Sequence, residues 1–331
     1  MGEGEAMVHD EDCHFLNIYT PSASGARPVL VWIHGGAFIA GSGEEAAYDG
    51  RLLAEEGDIV VVTLSYRLGV LGFLHDPDGG ATNLGMHDQI AALRWVKRHI
   101  GRYGGDPDRV TLAGQSAGAL SVASIMASCS EPLFRRAIIQ SAPLLLTSNA
   151  KAARQSLQLF GAGTEELSAL PIGELLCRQK AFLGRSRSMM PFSILDPDLS
   201  GKTSVPTLEK VLITWQRHDL SPFVAMKLHH EATYGSMADR IVTAIATSVG
   251  VKMPSKRYAR RLAARGLEVD TLELAWHPTG SPFGACHCLE LSMLFGTWER
   301  WQGTALLGDT PYAEWLSRGQ ALRRQWIEFV R

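Results

Sequence analysis

The sequence has 331 residues and a formal net charge of −2 at neutral pH. This length allows one large domain with a well-buried core. The near-neutral charge gives no reason to expect a nucleic acid or an anionic membrane as a partner, and no apolar run reaches the ~18 residues of a membrane-spanning helix. The polar start of the chain does not read as a secretory signal. Five cysteines, an odd and sparse set, predict a reducing, cytoplasmic environment.

Strand-like and helix-like segments alternate through the first half of the chain. Runs of apolar and β-branched residues predict strands, and apolar residues at helical spacing predict helices. The predicted strands are 15–19, 28–33, 59–64, 110–113 and 136–140, and the predicted helices are 48–56, 86–100 and 117–126, with a turn at 104–107. This order predicts an α/β protein with a central, mostly parallel, doubly wound sheet flanked by helices.

The second half of the chain is less regular. Between residues 149 and 206, short helical pieces are interrupted by glycine and proline, which predicts a compact helical cap. Strands are predicted again at 209–215 and 271–276, and helices at 236–248, 255–264 and 312–330. We therefore expect a single domain over 1–331, made of an N-terminal core (1–148), a cap (149–206) and a C-terminal core (207–331).

The segment Gly114–Gly118 (GQSAG) joins a predicted strand to a predicted helix, with Ser116 at its apex. This arrangement is typical of a nucleophile elbow, in which a sharp turn presents the serine hydroxyl above the sheet edge. The turn is so tight that side chains two positions before and after the serine would collide, which explains the two glycines. The pattern predicts Ser116 as a catalytic nucleophile, with the following helix directing N–H groups at the reaction centre.

A second glycine-rich motif, His34–Phe38 (HGGAF), directly follows the predicted strand 28–33. Glycines let backbone N–H groups approach an oxyanion without an intervening side chain. The alternative is a glycine-rich turn without function. His34 is expected to be a scaffold residue of this motif. The expected oxyanion hole consists of the N–H groups of Gly36, Ala37 and Ala117, and the expected substrate-binding residues are Gly35 and Phe38.

These motifs resemble those of type-B carboxylesterases in the cholinesterase/carboxylesterase family, and most of all those of bacterial p-nitrobenzyl-type esterases. The resemblance implies an α/β-hydrolase fold and a serine esterase that acts on small-molecule esters and needs no cofactor and no metal. It extends over long, ordered segments: 11–19, 34–38, 65–74, 83–96, 104–118 and 136–141.

The catalytic base follows from the same resemblance. Gly284–His287, followed by Glu290 and by Phe295–Gly296, is similar to the family segment that carries the catalytic histidine, and it lies after the last predicted strand. The resemblance therefore implies His287 as the base. The two cysteines that flank His287 also suggest a metal site, but zinc usually takes ligands from two spaced pairs, and no second pair is visible.

The triad acid is less well marked. The family usually has a strand that ends in a Gly-Thr-x-x-Asp-Glu stretch, and here residues 212–219 occupy that place. The alignment puts Asp219 at the glutamate position, so the resemblance implies Asp219 as the acid. Glu231 or another carboxylate stays open as an alternative, and Glu290 is assigned to the scaffold.

Several departures from the family pattern affect the expected activity. Gln115 replaces the glutamate that precedes the nucleophile in cholinesterase-like members, which argues against quaternary ammonium substrates. Glu11 and Arg67 match a scaffold ion pair. The chain lacks the family's N-terminal hairpin, so we expect a trimmed core, an open pocket and either a monomer or a homodimer. Candidate pocket residues, each with core packing as the alternative, are Phe38, Leu71, Phe73 and Met190.

Three other functions stay open on the sequence alone. The same triad would serve carbamates, amides or synthetic esters, and the shape of the pocket would decide between them. A catalytically silent adhesion or scaffold protein is a further alternative, although such relatives typically lose the serine or histidine. The last alternative is a truncated, nearly inactive member of the family.

Overall fold

The computed structural model describes residues 10, 12–80, 82–161, 167, 169–186, 188–228 and 234–331. The described residues form a seven-stranded sheet in the order β1-β3-β2-β4-β5-β6-β7. Strand β1 is antiparallel to β3, and every other neighbouring pair is parallel. The strands are β1 Leu16–Tyr19, β2 Arg27–Ile33, β3 Val60–Leu64, β4 Gly105–Gln115, β5 Arg136–Gln140, β6 Lys210–Gln216 and β7 Glu268–Leu274.

Helices cover both faces of this sheet, which confirms the predicted fold class. The first six are α1 Arg51–Gly57, α2 Gly69–Phe73, α3 Leu84–His99, α4 Ala117–Ser128, α5 Ala150–Phe160 and α6 Ile172–Arg185. The others are α7 Ser221–Leu228, α8 Met237–Thr247, α9 Met253–Ala263, α10 Leu289–Leu294, α11 Trp298–Trp301 and α12 Tyr312–Val330, and a π-helical segment, Ser248–Lys252, joins α8 to α9.

The central strands are buried on both sides. Along β2, Val29, Val31 and Ile33 belong to one hydrophobic core, whereas Leu30 and Trp32 belong to the other. Helix α4 lies in the first core and helix α12 in the second. A parallel strand that packs helices on both faces needs apolar residues at every position, which is why these strands read as continuous apolar runs.

The sheet reverses its winding direction between β2 and β4. Strand β2 pairs with β3 on one side and with β4 on the other, so the chain builds the sheet outward in both directions from this pair. Ligands of α/β proteins bind beside the carboxyl ends of strands at such a reversal point. The HGGAF motif follows β2 and Ser116 follows β4, so both candidate motifs lie at this point.

Element boundaries differ from the prediction where polar residues belong to a strand. Only Gly104 of the predicted turn 104–107 has a left-handed backbone (φ 75°), and β4 already begins at Gly105, which pairs with Arg27. The last strand runs over Glu268–Leu274 instead of 271–276. Its early residues alternate towards solvent, and Lys210 forms ion pairs with Glu268 and Asp270. Apolar content therefore underestimates the start of this edge strand.

Helix boundaries also differ in two places. The predicted helix 48–56 is divided, because a 3-10 turn ends at Tyr48 and α1 begins only after Gly50. The predicted helices 236–248 and 255–264 are joined by the π-helical segment into one continuous helical run. Elsewhere the agreement is close, and the closing helix 312–330 has the predicted bounds.

The segment 149–206 contributes α5 and α6 and is tied to the N-terminal core by hydrogen bonds. Val70 N donates to Oε1 of Gln179 at 2.8 Å, and a ring nitrogen of His75 lies 2.6 Å from the carbonyl oxygen of Ser193. The division of the chain into core and cap stays a prediction. No helix in the described part of the chain combines the length and the apolarity needed to cross a membrane.

Candidate active site

The turn between β4 and α4 has the strained geometry of a nucleophile elbow. Ser116 has φ 57° and ψ −122°, a backbone conformation that residues with a Cβ atom rarely adopt. A Cβ atom on Gly114 would lie 2.6 Å from the carbonyl carbon of Gly118, and one on Gly118 would lie 2.1 Å from the carbonyl oxygen of Ile33. The Ser116 N–H donates to Gln140 O at 2.9 Å, which ties the turn to the neighbouring strand.

The Ser116 hydroxyl is free to react. Ser116 is partly exposed, although its neighbours on both sides are buried. Within the described ranges, its Oγ makes no hydrogen bond with another protein group. The geometry thus presents a serine hydroxyl at the sheet edge, directly before the N-terminus of α4.

The HGGAF motif forms a loop that exposes backbone N–H groups. Gly36, Ala37 and Phe38 have φ values of 110°, 55° and 59°. A Cβ atom on Gly36 would lie 2.0 Å from the carbonyl oxygen of Ala40, so only glycine fits there. Considering the described residues alone, no protein acceptor bonds the N–H groups of Gly36, Ala37 or Ala117. These donors remain available to a ligand.

His34 supports this loop as a buried, neutral ring. Its Nδ1 lies 2.8 Å from Gly35 O, and its ring stacks on Tyr66 with centroids 4.5 Å apart. The Tyr66 hydroxyl donates to His34 O at 2.9 Å. Burial lowers the pKa of His34 to about 4, so the imidazole is uncharged at neutral pH.

The structure brings His287 and Asp219 into direct contact. Nδ1 of His287 donates to Oδ1 of Asp219 at 2.6 Å, and the backbone N–H of His287 donates to the carbonyl oxygen of Asp219 at 3.2 Å. Asp219 is completely buried and His287 is 9% exposed. A carboxylate on Nδ1 fixes the orientation of the ring and leaves Nε2 as the proton acceptor.

Two polar groups hold the second oxygen of Asp219. The Ser141 hydroxyl donates to Oδ2 at 2.7 Å, and the Gln216 N–H donates to the same atom at 2.9 Å. Ser141 follows β5 and Gln216 ends β6, so the carboxyl ends of two adjacent strands supply these donors. These two hydrogen bonds hold the carboxylate in place beside His287.

The side chain of Gln115 is hydrogen-bonded to Nε2 of His287. Its Nε2 lies 3.2 Å from Nε2 of His287 and 3.3 Å from Sγ of Cys288. Because an amide nitrogen can only donate, Nε2 of His287 is the acceptor, and the ring proton is on Nδ1. Gln115 immediately precedes Ser116, so the histidine is held beside the nucleophile without contacting its hydroxyl. Catalytic contacts often shorten only when substrate binds.

Opposing effects act on the protonation of His287. Burial disfavours the imidazolium, whereas the neighbouring Cys288 and Asp219 favour it, and together they raise the pKa of His287 above its ordinary value. The ring of Phe223 packs edge-on against the imidazole, with centroids 5.2 Å apart. The ring is therefore fixed on its apolar side by α7 and on its polar side by Asp219.

A second buried carboxyl group, Glu290, lies behind the triad. Its Oε2 accepts a hydrogen bond from Nε2 of Gln216 at 2.5 Å, whereas its Oε1 has no partner among the described residues. Burial, reinforced by the negative charge of Asp219, raises the pKa of Glu290 to about 7. Gln216 thus links the two carboxyl groups, through its backbone to Asp219 and through its side chain to Glu290.

We expect Glu290→Gln to stabilise the protein above neutral pH. The folded-state pKa of Glu290 is raised from 4.5 to about 7. The contribution of this side chain to the free energy of unfolding is therefore fully present below about pH 4.5 and is lost as the pH rises through about 7. The amide cannot ionise, so the unfolding free energy of the variant relative to that of wild type should be up to about 3 kcal/mol higher at about pH 8 than at about pH 5. Urea unfolding of both proteins measures this gain, and an equal difference at both pH values would contradict it.

Most of the residues that the sequence suggested for the pocket are buried. Phe38, Phe73 and Met190 are buried in the first core, and the Phe38 and Phe73 ring centroids are 4.2 Å apart. The side chain of Phe38 therefore packs in the core and is not open to a ligand, whereas Leu71 is partly exposed. Gly35 is buried, and a Cβ atom there would meet Oε1 of Gln115 at 2.8 Å.

Two sequence-based expectations involve residues outside the described ranges. Glu11, the expected partner of Arg67, is one of them, and in the structure Arg67 pairs with Asp88 at 2.7 Å. Glu231, the alternative triad acid, is the other. Within the described ranges, no three His, Cys, Asp or Glu side chains converge in a way that could hold a metal ion.

Sequence reasoning gave no role to Ser141, Gln216 or Phe223. Ser141 and Gln216 stand where predicted strands end, and the ends of adjacent parallel strands meet at one edge, so their positions were a usable signal. Phe223 belongs to α7, a helix of only eight residues, which was not predicted.

The chain is similar to known carboxylesterases and related hydrolases in sequence and in fold. A profile of the carboxylesterase family matches residues 2–166. The probable N-octanoylanthranilate hydrolase of Rhodococcus erythropolis is 34% identical over 358 positions, covering 100% of this chain and 78% of that protein. The para-nitrobenzyl esterase of Bacillus subtilis is 44% identical over 174 residues, covering 50% of this chain and 36% of that protein. A solved PNB esterase superposes with a TM-score of 0.80 at 29% identity, covering 97% of this chain and 76% of that structure.

Proposed function

The chain belongs to the carboxylesterase family and is a carboxylic ester hydrolase, and from this premise we propose that Ser116, His287 and Asp219 form its catalytic triad. The observation that carries the proposal is the 2.6 Å contact between His287 and Asp219, held by Gln115 beside the strained serine. The chain order serine, acid, histidine is that of α/β-hydrolases.

Acylation begins when Ser116 Oγ attacks the ester carbonyl carbon. The hydroxyl proton moves to Nε2 of His287, which requires the Gln115 amide to release that nitrogen. Asp219 stabilises the resulting imidazolium through Nδ1, and Ser141 and Gln216 donate hydrogen bonds to the other oxygen of its carboxylate. As the tetrahedral intermediate collapses, the bond to the alcohol oxygen breaks, and the alcohol leaves with the proton from His287.

The negative oxygen of the intermediate is bound by the N–H groups of Gly36, Ala37 and Ala117. Their lack of partners within the described residues supports this role, because preorganised donors need no rearrangement when charge develops. Each such donor typically contributes about 3 kcal/mol to the stability of the transition state. The positive end of the α4 dipole adds to this stabilisation.

Deacylation repeats these steps with water as the nucleophile. His287 removes a proton from the water, which attacks the acyl carbonyl carbon, and the ester bond to Ser116 Oγ breaks. The proton returns through His287 to Oγ, and the carboxylic acid product leaves.

A second candidate function is hydrolysis of an acyl group from nitrogen. The name of the Rhodococcus erythropolis relative denotes an octanoyl group on nitrogen, and that relative matches this chain from end to end. The same triad serves both reactions, since His287 can protonate either leaving group.

We further propose a cytoplasmic location on the basis of the odd, sparse cysteines. We also propose that segment 149–206 acts as a cap.

Covalent labelling with a fluorophosphonate probe tests the proposed nucleophile. We expect one probe molecule per chain, attached to the peptide that contains Ser116 and identified by mass spectrometry. His287→Ala should label far more slowly while keeping its melting temperature, because the hydroxyl then lacks its base. Labelling of another serine, or equal rates in the two proteins, would refute the assignment.

A further inference from the structure

The helical run from Met237 to Met253 exposes apolar side chains to solvent, whereas an ordinary surface helix buries them. Its solvent side carries six large apolar residues, which are 45% to 74% exposed. Most of them recur at intervals of four residues and so form one stripe along the helix. We call this stripe the apolar face; it consists of Met237, Ile241, Val242, Ile245, Val249 and Met253.

The inner side of the same helix is polar. Asp239, Thr243 and Thr247 are all buried. Asp239 accepts hydrogen bonds from Ser236 in a capping box, Thr243 bonds the Tyr234 hydroxyl, and Thr247 accepts from the N–H of Leu220 at 3.1 Å. These polar side chains, together with Ala246 and the buried Val251, anchor the helix on its inner side, and the residues of the apolar face are left on the solvent side.

The charge of this region differs from that of the whole chain. Residues 237–263 contain six basic residues and one acidic residue, Asp239, which is buried. Lys256, Arg257 and Arg260 are exposed on the turns that follow the apolar face. A net charge of −2 gives no reason to expect an anionic membrane, but this segment combines an apolar stripe with basic residues, which is the pattern of helices that lie in a lipid interface.

The helix that carries the apolar face packs, through its opposite side, on an element next to the proposed active site. The Leu220 N–H that bonds Thr247 directly follows Asp219 in sequence. Helix α7 continues from there with Phe223, which packs on His287, and ends with exposed Met226 and Leu228. Exposed apolar side chains therefore also occur on α7, the helix that follows Asp219.

We propose that the apolar face is a docking surface for an anionic lipid surface. A second copy of the chain is a poorer occupant, because face-to-face pairing would bring two sets of basic residues together without acidic partners. A lipid surface provides both an apolar interior for the isoleucines and negative head groups for the lysines and arginines. Docking of the apolar face does not itself require turnover.

Co-sedimentation with lipid vesicles tests this proposal. The probes are vesicles of equal parts phosphatidylglycerol and phosphatidylcholine, with pure phosphatidylcholine vesicles as a comparison. We expect wild type to bind the anionic vesicles, and the double variant Ile241→Gln with Ile245→Gln to lose at least about tenfold in partition coefficient. Lys256→Glu with Arg257→Glu should lower binding to the anionic vesicles and reduce its dependence on salt.

The matched control is Leu159→Gln, which alters an equally exposed leucine on α5 and should leave binding unchanged. Hydrolysis of a soluble ester should be the same in all these variants, and Ser116→Ala should still bind vesicles, so failure of the docking surface and failure of the proposed triad give different results. Wild type that does not bind vesicles would overturn the proposal. So would a dimer, detected by sedimentation, that forms in wild type and is abolished by the isoleucine variant.

Discussion

Ser116→Ala should lower kcat for a short p-nitrophenyl ester by on the order of 10⁵-fold to 10⁶-fold. The reason is that the variant lacks the hydroxyl that forms the acyl-enzyme, whereas the oxyanion donors and the binding surface remain intact. Alanine also relieves none of the backbone strain, since it keeps the Cβ atom at φ 57°. Folding should therefore change little. Steady-state kinetics and thermal melting of the two proteins measure both effects.

Ser121→Ala provides the matched control for this experiment. Ser121 lies on the next turn of α4, is completely buried, and its hydroxyl has no partner among the described residues. Its replacement should leave kcat within about twofold, because a hydroxyl without a partner contributes little. If folded Ser116→Ala keeps more than about a tenth of the wild-type kcat, the proposed nucleophile is wrong.

The sheet and the elbow could be predicted because both obey strong local constraints. Continuous apolar runs such as 28–33 and 59–64 have few alternatives to buried parallel strands. The two glycines of the elbow are required by contacts of 2.6 Å and 2.1 Å that any Cβ atom would make. A sequence pattern is reliable when, as here, a single steric requirement explains it.

The support of the triad could not be predicted in the same way. Ser141 and Gln216 are distant in sequence, and although both stand where predicted strands end, this position does not show which group each of them bonds. Their roles depend on the register of β5 and β6, which places them around one buried carboxylate. The helical run from Met237 to Met253 is a similar case. Its apolar periodicity predicts a stripe that faces the core, whereas in the packed structure this stripe is the side exposed to solvent.

Asp219→Asn should lower kcat by about 10³-fold to 10⁴-fold and move the pH dependence of kcat/KM. The carboxylate raises the pKa of His287, so activity of wild type should rise with pH through a pKa above 6.5. The amide of asparagine cannot stabilise the imidazolium, and the half-maximal point should therefore move to lower pH. Its NH₂ group can also face Nδ1, which would leave the ring in the wrong tautomer for accepting the Ser116 proton.

Glu231→Gln separates this assignment from its alternative. If Asp219 is the acid, Glu231→Gln should keep kcat within about twofold and leave the pH profile in place. If instead Glu231→Gln lowers kcat and moves the pH profile while Asp219→Asn does not move it, the acid is Glu231, and the contact of Asp219 with His287 has only a structural role. The kinetic loss alone would not distinguish these cases, because Asp219 is buried in a network whose disruption also destabilises the fold. The pH profile does, since a charge close to the imidazole changes its pKa far more than a distant one, so the variant that removes the triad acid should move the profile most.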